Sequence, residues 1–107
     1  MSRLLVLQHA IATAASISGA KLVHPVLARQ LERSSSSIAL NLAEGGGRFG
    51  KDRLQHYRIA YGSCQEAKAT IAILVRGGHI DRETGVHWYR DLNRIGGMLW
   101  GLMRSCG

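Results

Sequence analysis

A glycine-rich segment, Gly45–Lys51, carries the pattern G-x-x-x-x-G-K, which forms a phosphate-binding loop in nucleotide-hydrolysing enzymes. That loop needs a serine or threonine next to bind magnesium, whereas Asp52 follows here and its carboxylate would repel phosphate. The segment also follows a helical pattern rather than a strand, so we expect no nucleotide hydrolysis. Two interpretations stay open. One is an anion site formed by Arg48, Lys51, Arg53 and a helix N-terminus. The other is a helix–helix turn with solvated charges.

Basic side chains dominate the charge of the chain. Fourteen Lys and Arg face seven Asp and Glu, for a net charge of +7, and eleven of the fourteen are arginine. The guanidinium fork suits phosphate oxygens, so this excess favours a polyanionic partner over a surface kept basic only for solubility. In the fourth predicted helix the arginines face only two acids, Glu83 and Asp91. We predict contacts to the DNA or RNA backbone, without sequence specificity, from Arg48, Lys51, Arg53, Arg58, Arg90 and Arg94.

Histidines and cysteines lack catalytic or metal-binding spacing. No two of the five histidines form an H-x-x-x-H pair, and His56 lies two helical turns from Cys64, too far for a nucleophile and its base. Glu44 and Glu66 are interpreted as polar contacts at the edge of the core. We therefore expect no catalytic residue, no metal site, no cofactor and no enzymatic activity. Cys64 is predicted to be a small core residue, and the cysteine usage favours a reducing, cytoplasmic setting.

Helical periodicity covers most of the chain, and no segment alternates as a strand does. We predict four helices: about Ser2 to Ser18, Pro25 to the glycine run at Gly45, Asp52 to Arg76, and from the Asp81 N-cap almost to the end. The 107 residues fit one domain, 1–107, and short linkers make consecutive helices antiparallel neighbours. The predicted fold is an all-α, up-down-up-down antiparallel four-helix bundle. The N-terminal apolar run is too weak for a signal peptide or a bilayer span, so we expect no membrane partner.

Each predicted helix has an apolar stripe that should face the core. The stripes are Leu4, Leu7, Ile11, Ala14 and Ala15; Leu27, Leu31, Ser34, Ile38 and Leu42; Leu54, Tyr57, Tyr61, Cys64, Ile71 and Val75; and Trp88, Leu92, Ile95, Leu99 and Leu102. Glycine costs a helix interior about 1 kcal/mol relative to alanine. Gly62, Gly97 and Gly101 therefore predict the close approach of another helix, either within the chain or between subunits.

Three segments resemble a family of four-helix-bundle proteins encoded in intervening sequences of large-subunit ribosomal RNA genes. Residues 36–45, SSIALNLAEG, resemble the family signature S-I-x-x-N-I-A-E-G. Residues 57–66 are similar to its x-R-x-A-x-G-S-x-x-E segment, and residues 92–102 to its closing helix. The resemblance covers roughly residues 25–104. It is carried by residues that recur together at matching separations: Asn41, Glu44, Gly45, Gly62, Ser63 and Glu66.

The resemblance implies an up-down four-helix bundle, often assembled as a homopentameric ring, and supplies no catalytic residue. It also implies kinship with the accessory variability determinants of diversity-generating retroelements, which are basic pentamers that partner a reverse transcriptase and bind nucleic acid. The signature residues would then be structural, with Asn41 and Glu44 able to hydrogen-bond to Ser63 or Glu66 across two helices.

Two functions follow from the charge and the resemblance. The first is a non-catalytic, oligomeric, nucleic-acid-binding accessory protein that supports a reverse transcriptase. The alternative is a protein-interaction scaffold that docks an acidic or enzymatic partner without binding nucleic acid, with the same charges steering association.

Overall fold

The computed structural model describes residues 2–106. Within that range the chain forms four helices and no strand: α1 (Arg3–Ser18), α2 (Pro25–Gly46), α3 (Gly50–Arg76) and α4 (Arg82–Ser105). Each helix packs on the next along the chain, and α4 closes the bundle against α1. The bundle measures 42 × 20 × 18 Å, and α3 alone spans about 40 Å at the rise of an α-helix. The predicted all-α, up-down-up-down four-helix bundle is confirmed.

Side-chain caps and glycines set the helix ends. The Asp81 carboxylate accepts from the backbone N–H of Thr84 at 2.9 Å, which confirms Asp81 as the N-cap of α4. His24 is the N-cap of α2, and its Nδ1 accepts a hydrogen bond from the Leu27 N–H at 3.1 Å. Pro25 follows at the first helical position. Glycines follow the last turns of α1, α2 and α3. The chain reverses direction at each of these points, which makes neighbouring helices antiparallel.

The predicted core stripes of α2 and α4 are confirmed. All five predicted residues of α4, from Trp88 to Leu102, are buried, as are the four of α2 from Leu31 to Leu42, while Leu27 is half-buried and packs against the core. In α3, Tyr57, Cys64 and Ile71 are buried, while Leu54, Tyr61 and Val75 are half-buried at its edge. The remaining core positions of α3 are Ala60, Ala67, Thr70 and Leu74.

The stripe predicted for α1 is wrong. The buried residues are Val6, Ala10, Thr13 and Ile17. Leu4 and Ile11, placed in the core by the sequence, are 69% and 52% exposed. Helix α1 is apolar on nearly every side, so periodicity could not choose which side faces inward. The result is a helix with apolar residues both in the core and on its outer face.

Glycines in the bundle fall into two groups. A Cβ on Gly45 would lie 2.7 Å from Cε1 of the buried Tyr57, and one on Gly85 would overlap the Val75 side chain, so both positions require glycine. By contrast, no atom of another helix among residues 2–106 lies within 4 Å of a Cβ built on Gly62, Gly97 or Gly101. The close helix approach predicted at these three positions does not occur within the chain.

Candidate nucleic-acid interface

The glycine-rich turn between α2 and α3 presents carbonyl oxygens to arginines. Nε of Arg53 donates to the Gly45 carbonyl at 3.0 Å, and a guanidinium nitrogen of Arg3 donates to the Gly46 carbonyl at 3.0 Å. The last carbonyls of a helix lack intrahelical partners, and these guanidinium groups supply them. The geometry therefore favours the ordinary helix–helix turn over an anion site, with Arg53 engaged inside the chain.

Arg48 lies between two carboxylates. It forms ion pairs of 3.1 Å with Glu44 and with Asp52, and these raise the pKa of the Arg48 guanidinium, the hydrogen bond to Glu44 most of all. All three groups are exposed, so the pairs add little stability. Their effect is electrostatic, because two negative charges offset the charge that Arg48 would offer to a phosphate.

The outer groove between α3 and α4 carries aromatic and basic side chains together. Its lower part, near the C-terminal end of α4, is a cavity of about 440 Å³ lined by Leu54, Arg58, Tyr61, Trp100, Met103 and Arg104. The rings of Tyr61 and Trp100 are tilted by 49°, with centroids 5.8 Å apart. Neither Arg58 nor Arg104 forms an ion pair with any residue between Ser2 and Cys106.

The same groove continues toward the N-terminal end of α4. Lys68 Nζ lies 5.7 Å from the centroid of the Tyr89 ring and donates to Asn93 Oδ1 at 3.3 Å. Beyond it a cavity of about 310 Å³ is lined by Arg76 and Arg82 beside apolar residues and Tyr89. No acidic residue lines either cavity, and none of the four arginines that line them forms an ion pair among residues 2–106, although Arg82 lies between Asp81 and Glu83 in the chain.

The other predicted phosphate contacts lie elsewhere. Arg90 lines a wide cleft beside the end of α1 that also contains Asp81 and Glu83. Arg94 lines a smaller cavity between α1 and α4 together with Asp91. Lys51 is exposed in the first turn of α3. The structure therefore does not bring the six predicted residues into one surface, and Arg58 alone among them lines the α3–α4 groove.

Sequence reasoning missed most of the groove. The residues that α4 contributes to the groove nevertheless follow a regular spacing in the sequence, because every third or fourth residue lies on one side of a helix. The residues in that register are Arg82, Val86, Tyr89, Asn93, Gly97, Trp100 and Arg104. The prediction followed local runs of arginine, whereas the groove joins residues of two helices that are distant in the sequence.

Comparison with known proteins places this bundle in a family. The sequence profile described as 23S rRNA-intervening sequence protein matches residues 2–101. The chain belongs to that family. The match includes α1, which lay outside the segments that carried the resemblance. It confirms the ribosomal RNA intervening-sequence part of that resemblance.

A solved structure shares the fold. It is a protein of unknown function from the S23 ribosomal protein family of Bacteroides thetaiotaomicron, with a TM-score of 0.86 and 21% sequence identity. The alignment covers 97% of this chain and 99% of that one. Among curated proteins, no match was found.

The signature residues form a hydrogen-bond network between α2 and α3. Asn41 Nδ2 donates to the Ser37 carbonyl and hydroxyl at 2.9 and 3.0 Å, and its Oδ1 lies 3.1 Å from His56 Nδ1. The Ser63 hydroxyl donates to that of Ser37 at 2.9 Å. A network joins the helices as expected, but through Ser37 and His56 rather than directly between Asn41 and Ser63.

The two signature glutamates are not part of that network. Glu44 pairs with Arg48, and the exposed Glu66 contributes its backbone carbonyl, which accepts from the Thr70 hydroxyl at 2.9 Å. The bonds expected from Glu44 or to Glu66 across the helices do not form. Both carboxylates lie at the surface, where water solvates them without a cross-helix partner.

Cys64 is a core residue, as predicted. Its thiol donates to the Leu92 carbonyl at 3.0 Å, and burial raises its pKa to about 11. A thiol with so high a pKa is protonated at neutral pH and is a poor nucleophile. Residues 2–106 contain no cluster of three potential metal ligands. None of the four helices is long and apolar enough to span a bilayer.

Proposed function

We propose that this protein is a non-catalytic accessory protein that binds nucleic acid through its basic surface and acts as a homo-oligomer. The observation that carries the proposal is the α3–α4 groove, where four arginines and no acidic residue line the two cavities. Guanidinium groups without a carboxylate partner are free to bind phosphate, whose oxygens match their fork of donors. Binding of this kind reads the backbone and not the base sequence.

Self-association follows from the outer face of α1. Leu4, Leu5 and Ile11 are exposed there, and the only charged residue in the helix is Arg3 at its first position. Helix α1 thus lacks the charged outer side that a surface helix normally has. We propose that a second copy covers this face and, from the resemblance, that five copies form the ring. Several copies of one basic groove would multiply a weak affinity by avidity.

The protein partner we propose is a reverse transcriptase, as the resemblance to the accessory variability determinants implies. We also propose a cytoplasmic site of action, which suits the two free cysteines. A second candidate function is a scaffold that docks a protein and not nucleic acid. The exposed Ile59 and Ile73 on the outer face of α3 favour it, because apolar residues on an outer face suit a protein contact.

A salt titration tests the proposed function. Binding of the purified protein to a labelled oligonucleotide is measured by fluorescence anisotropy from low to physiological salt, beside light scattering for mass. We expect a linear fall of log affinity with log salt, because each phosphate contact releases a counterion. The double variant Arg76→Ala/Arg82→Ala should reduce the slope by about one unit per lost contact.

The matched control is Arg29→Ala/Arg33→Ala on the exposed side of α2, which removes the same charge outside the groove. It should reduce the salt slope less than Arg76→Ala/Arg82→Ala does. An assembly that forms but does not bind DNA or RNA at low salt would contradict nucleic-acid binding and favour the scaffold function. Capture of a reverse transcriptase by such an assembly would then support the second candidate.

A further inference from the structure

We infer that the lower part of the α3–α4 groove binds single-stranded nucleic acid by stacking bases on Trp100 and Tyr61, with Arg58 and Arg104 on the flanking phosphates. This inference rests on the proposed function. It adds a strand preference and names the residues that contact bases.

The two tryptophans of the chain differ in exposure, and Trp100 is the exposed one. Trp88 is 3% exposed and its indole N–H donates to the Ser16 hydroxyl at 3.2 Å, whereas Trp100 is 54% exposed. The indole of Trp100 therefore has an open surface, although the tilted Tyr61 ring beside it supports its position. Aromatic rings that are held in place but open to solvent are the platforms on which unpaired bases stack.

The charges around these rings select the ligand. Arg58 and Arg104 line the cavity that contains Tyr61 and Trp100, and the other lining residues are Leu54 and Met103. An apolar ligand would leave two guanidinium groups without a counterion, and a cationic ligand would be repelled. A strand that carries a flat ring and a phosphate in every unit satisfies both the aromatic and the basic side chains.

The small number of groups that could hydrogen-bond to base edges bears on sequence tolerance, and the need for an exposed base face sets the strand preference. Apart from the two arginines, the Tyr61 hydroxyl and the Trp100 indole N–H are the only polar groups in the lower cavity, so we expect tolerance of sequence. In a duplex the base faces are stacked on each other and only the backbone is offered. A duplex would therefore contact the arginines without reaching Trp100.

A second stacking position lies further along α4. Tyr89 is three turns from Trp100, or roughly 16 Å along the helix, with Lys68 Nζ 5.7 Å from its ring centroid. This repeats the pairing of an aromatic ring with a cation, and Asn93 lies between the two positions. A strand of several nucleotides could therefore follow the groove from Arg104 to Arg82.

Tryptophan fluorescence and affinity together test the inference. A thymidine oligonucleotide and a duplex of equal length are titrated at low salt into the wild-type assembly and into Trp100→Phe, Trp100→Ala and Leu40→Ala. The single strand should quench the wild-type emission. Trp100→Phe should bind with little loss but without that quenching, since phenylalanine still stacks. Trp100→Ala should bind the single strand about tenfold more weakly and the duplex unchanged.

Leu40→Ala is the matched control, because Leu40 is exposed on α2, which packs on α1 and α3 and does not contact α4. Equal affinity of Trp100→Ala and wild type for the single strand would overturn the inference while leaving the proposed function intact. A smaller mass of Trp100→Ala in light scattering would also overturn it, because the groove would then be a subunit contact. Failure of both oligonucleotides to bind the wild type would refute the proposed function itself.

Discussion

Arginines in this chain have two kinds of surroundings, and the group opposite each guanidinium distinguishes them. Arg3 and Arg53 hold carbonyl oxygens at the end of α2, and Arg48 lies between two carboxylates. Arg58 and Arg104 face a groove without acids. A run of basic residues in the sequence cannot separate these surroundings, because the carbonyl partners depend on how the turn folds. This is why the predicted site included residues that serve the fold.

Gly45 provides a test of packing at one position. A Cβ there would lie 2.7 Å from Cε1 of Tyr57, which is fully buried and cannot move aside. We expect Gly45→Ala to lower the free energy of unfolding by about 1–3 kcal/mol, measured by denaturant titration. Gly46→Ala is the matched control, because its Cβ would meet only the Arg3 guanidinium at 3.6 Å. It should be neutral or stabilising by up to about 1 kcal/mol. Equal effects of the two changes would contradict this account.

At the level of helices, the boundaries were predictable and the orientation of α1 was not. The N-cap at Asp81, the proline at the start of α2 and the glycines after α1 and α3 are local signals, and each lies where a helix begins or ends. Orientation depends instead on contrast between the two sides of a helix. Helix α4 has that contrast, and its stripe was predicted correctly, whereas α1 lacks it.

The cap of α4 should give the stability a specific pH dependence. The Thr84 N–H that donates to the Asp81 carboxylate lowers its pKa in the folded state. The cap therefore stabilises the fold fully above the unfolded pKa of aspartate, about 3.9, and this contribution is lost as the pH falls through the lower folded value. We expect Asp81→Ala to melt below the wild type at neutral pH and the gap to narrow below about pH 4.

Asp81→Asn separates the hydrogen bond from the charge. Asparagine caps helices about as well as aspartate but does not titrate. Its melting temperature, measured by circular dichroism between pH 2 and 7, should exceed that of Asp81→Ala, and the gap between those two variants should not change with pH. A gap between the wild type and Asp81→Ala that stays constant down to pH 2 would rule out the carboxylate as the cap.

At the level of the whole molecule, the uncharged outer face of α1 and the basic α3–α4 groove lie on different sides of the bundle. The outer face of α1 is uncharged beyond Arg3, while four arginines of α3 and α4 line the groove on the other side of α4: Arg58, Arg76, Arg82 and Arg104. This arrangement suits the proposed function, in which one side assembles copies and the other binds a polyanion. It follows from the packing of four helices, so no single segment of the sequence contains it.

A charge on the outer face of α1 tests this division. We expect Ile11→Glu to reduce the assembly to a smaller mass in light scattering, because a carboxylate would be buried without a partner between copies. The helical content should stay unchanged, since Ile11 is half exposed and outside the core. Leu40→Glu, a similar change on the outer face of α2, is the control and should keep the mass of the wild type. An unchanged mass for Ile11→Glu would place the subunit contact elsewhere.

The packing of α4 against α1 makes the chain suitable for circular permutation. Because these antiparallel helices are neighbours, the start of α1 and the end of α4 lie at the same end of the bundle. A short linker could join them, and new termini could open in the loop around Val23, whose side chain is exposed. Such a circular permutant would read α2, α3, α4, α1 and keep every helix pair. We therefore expect the permutant to fold into the same bundle, because the same helices remain adjacent whichever of them is translated first.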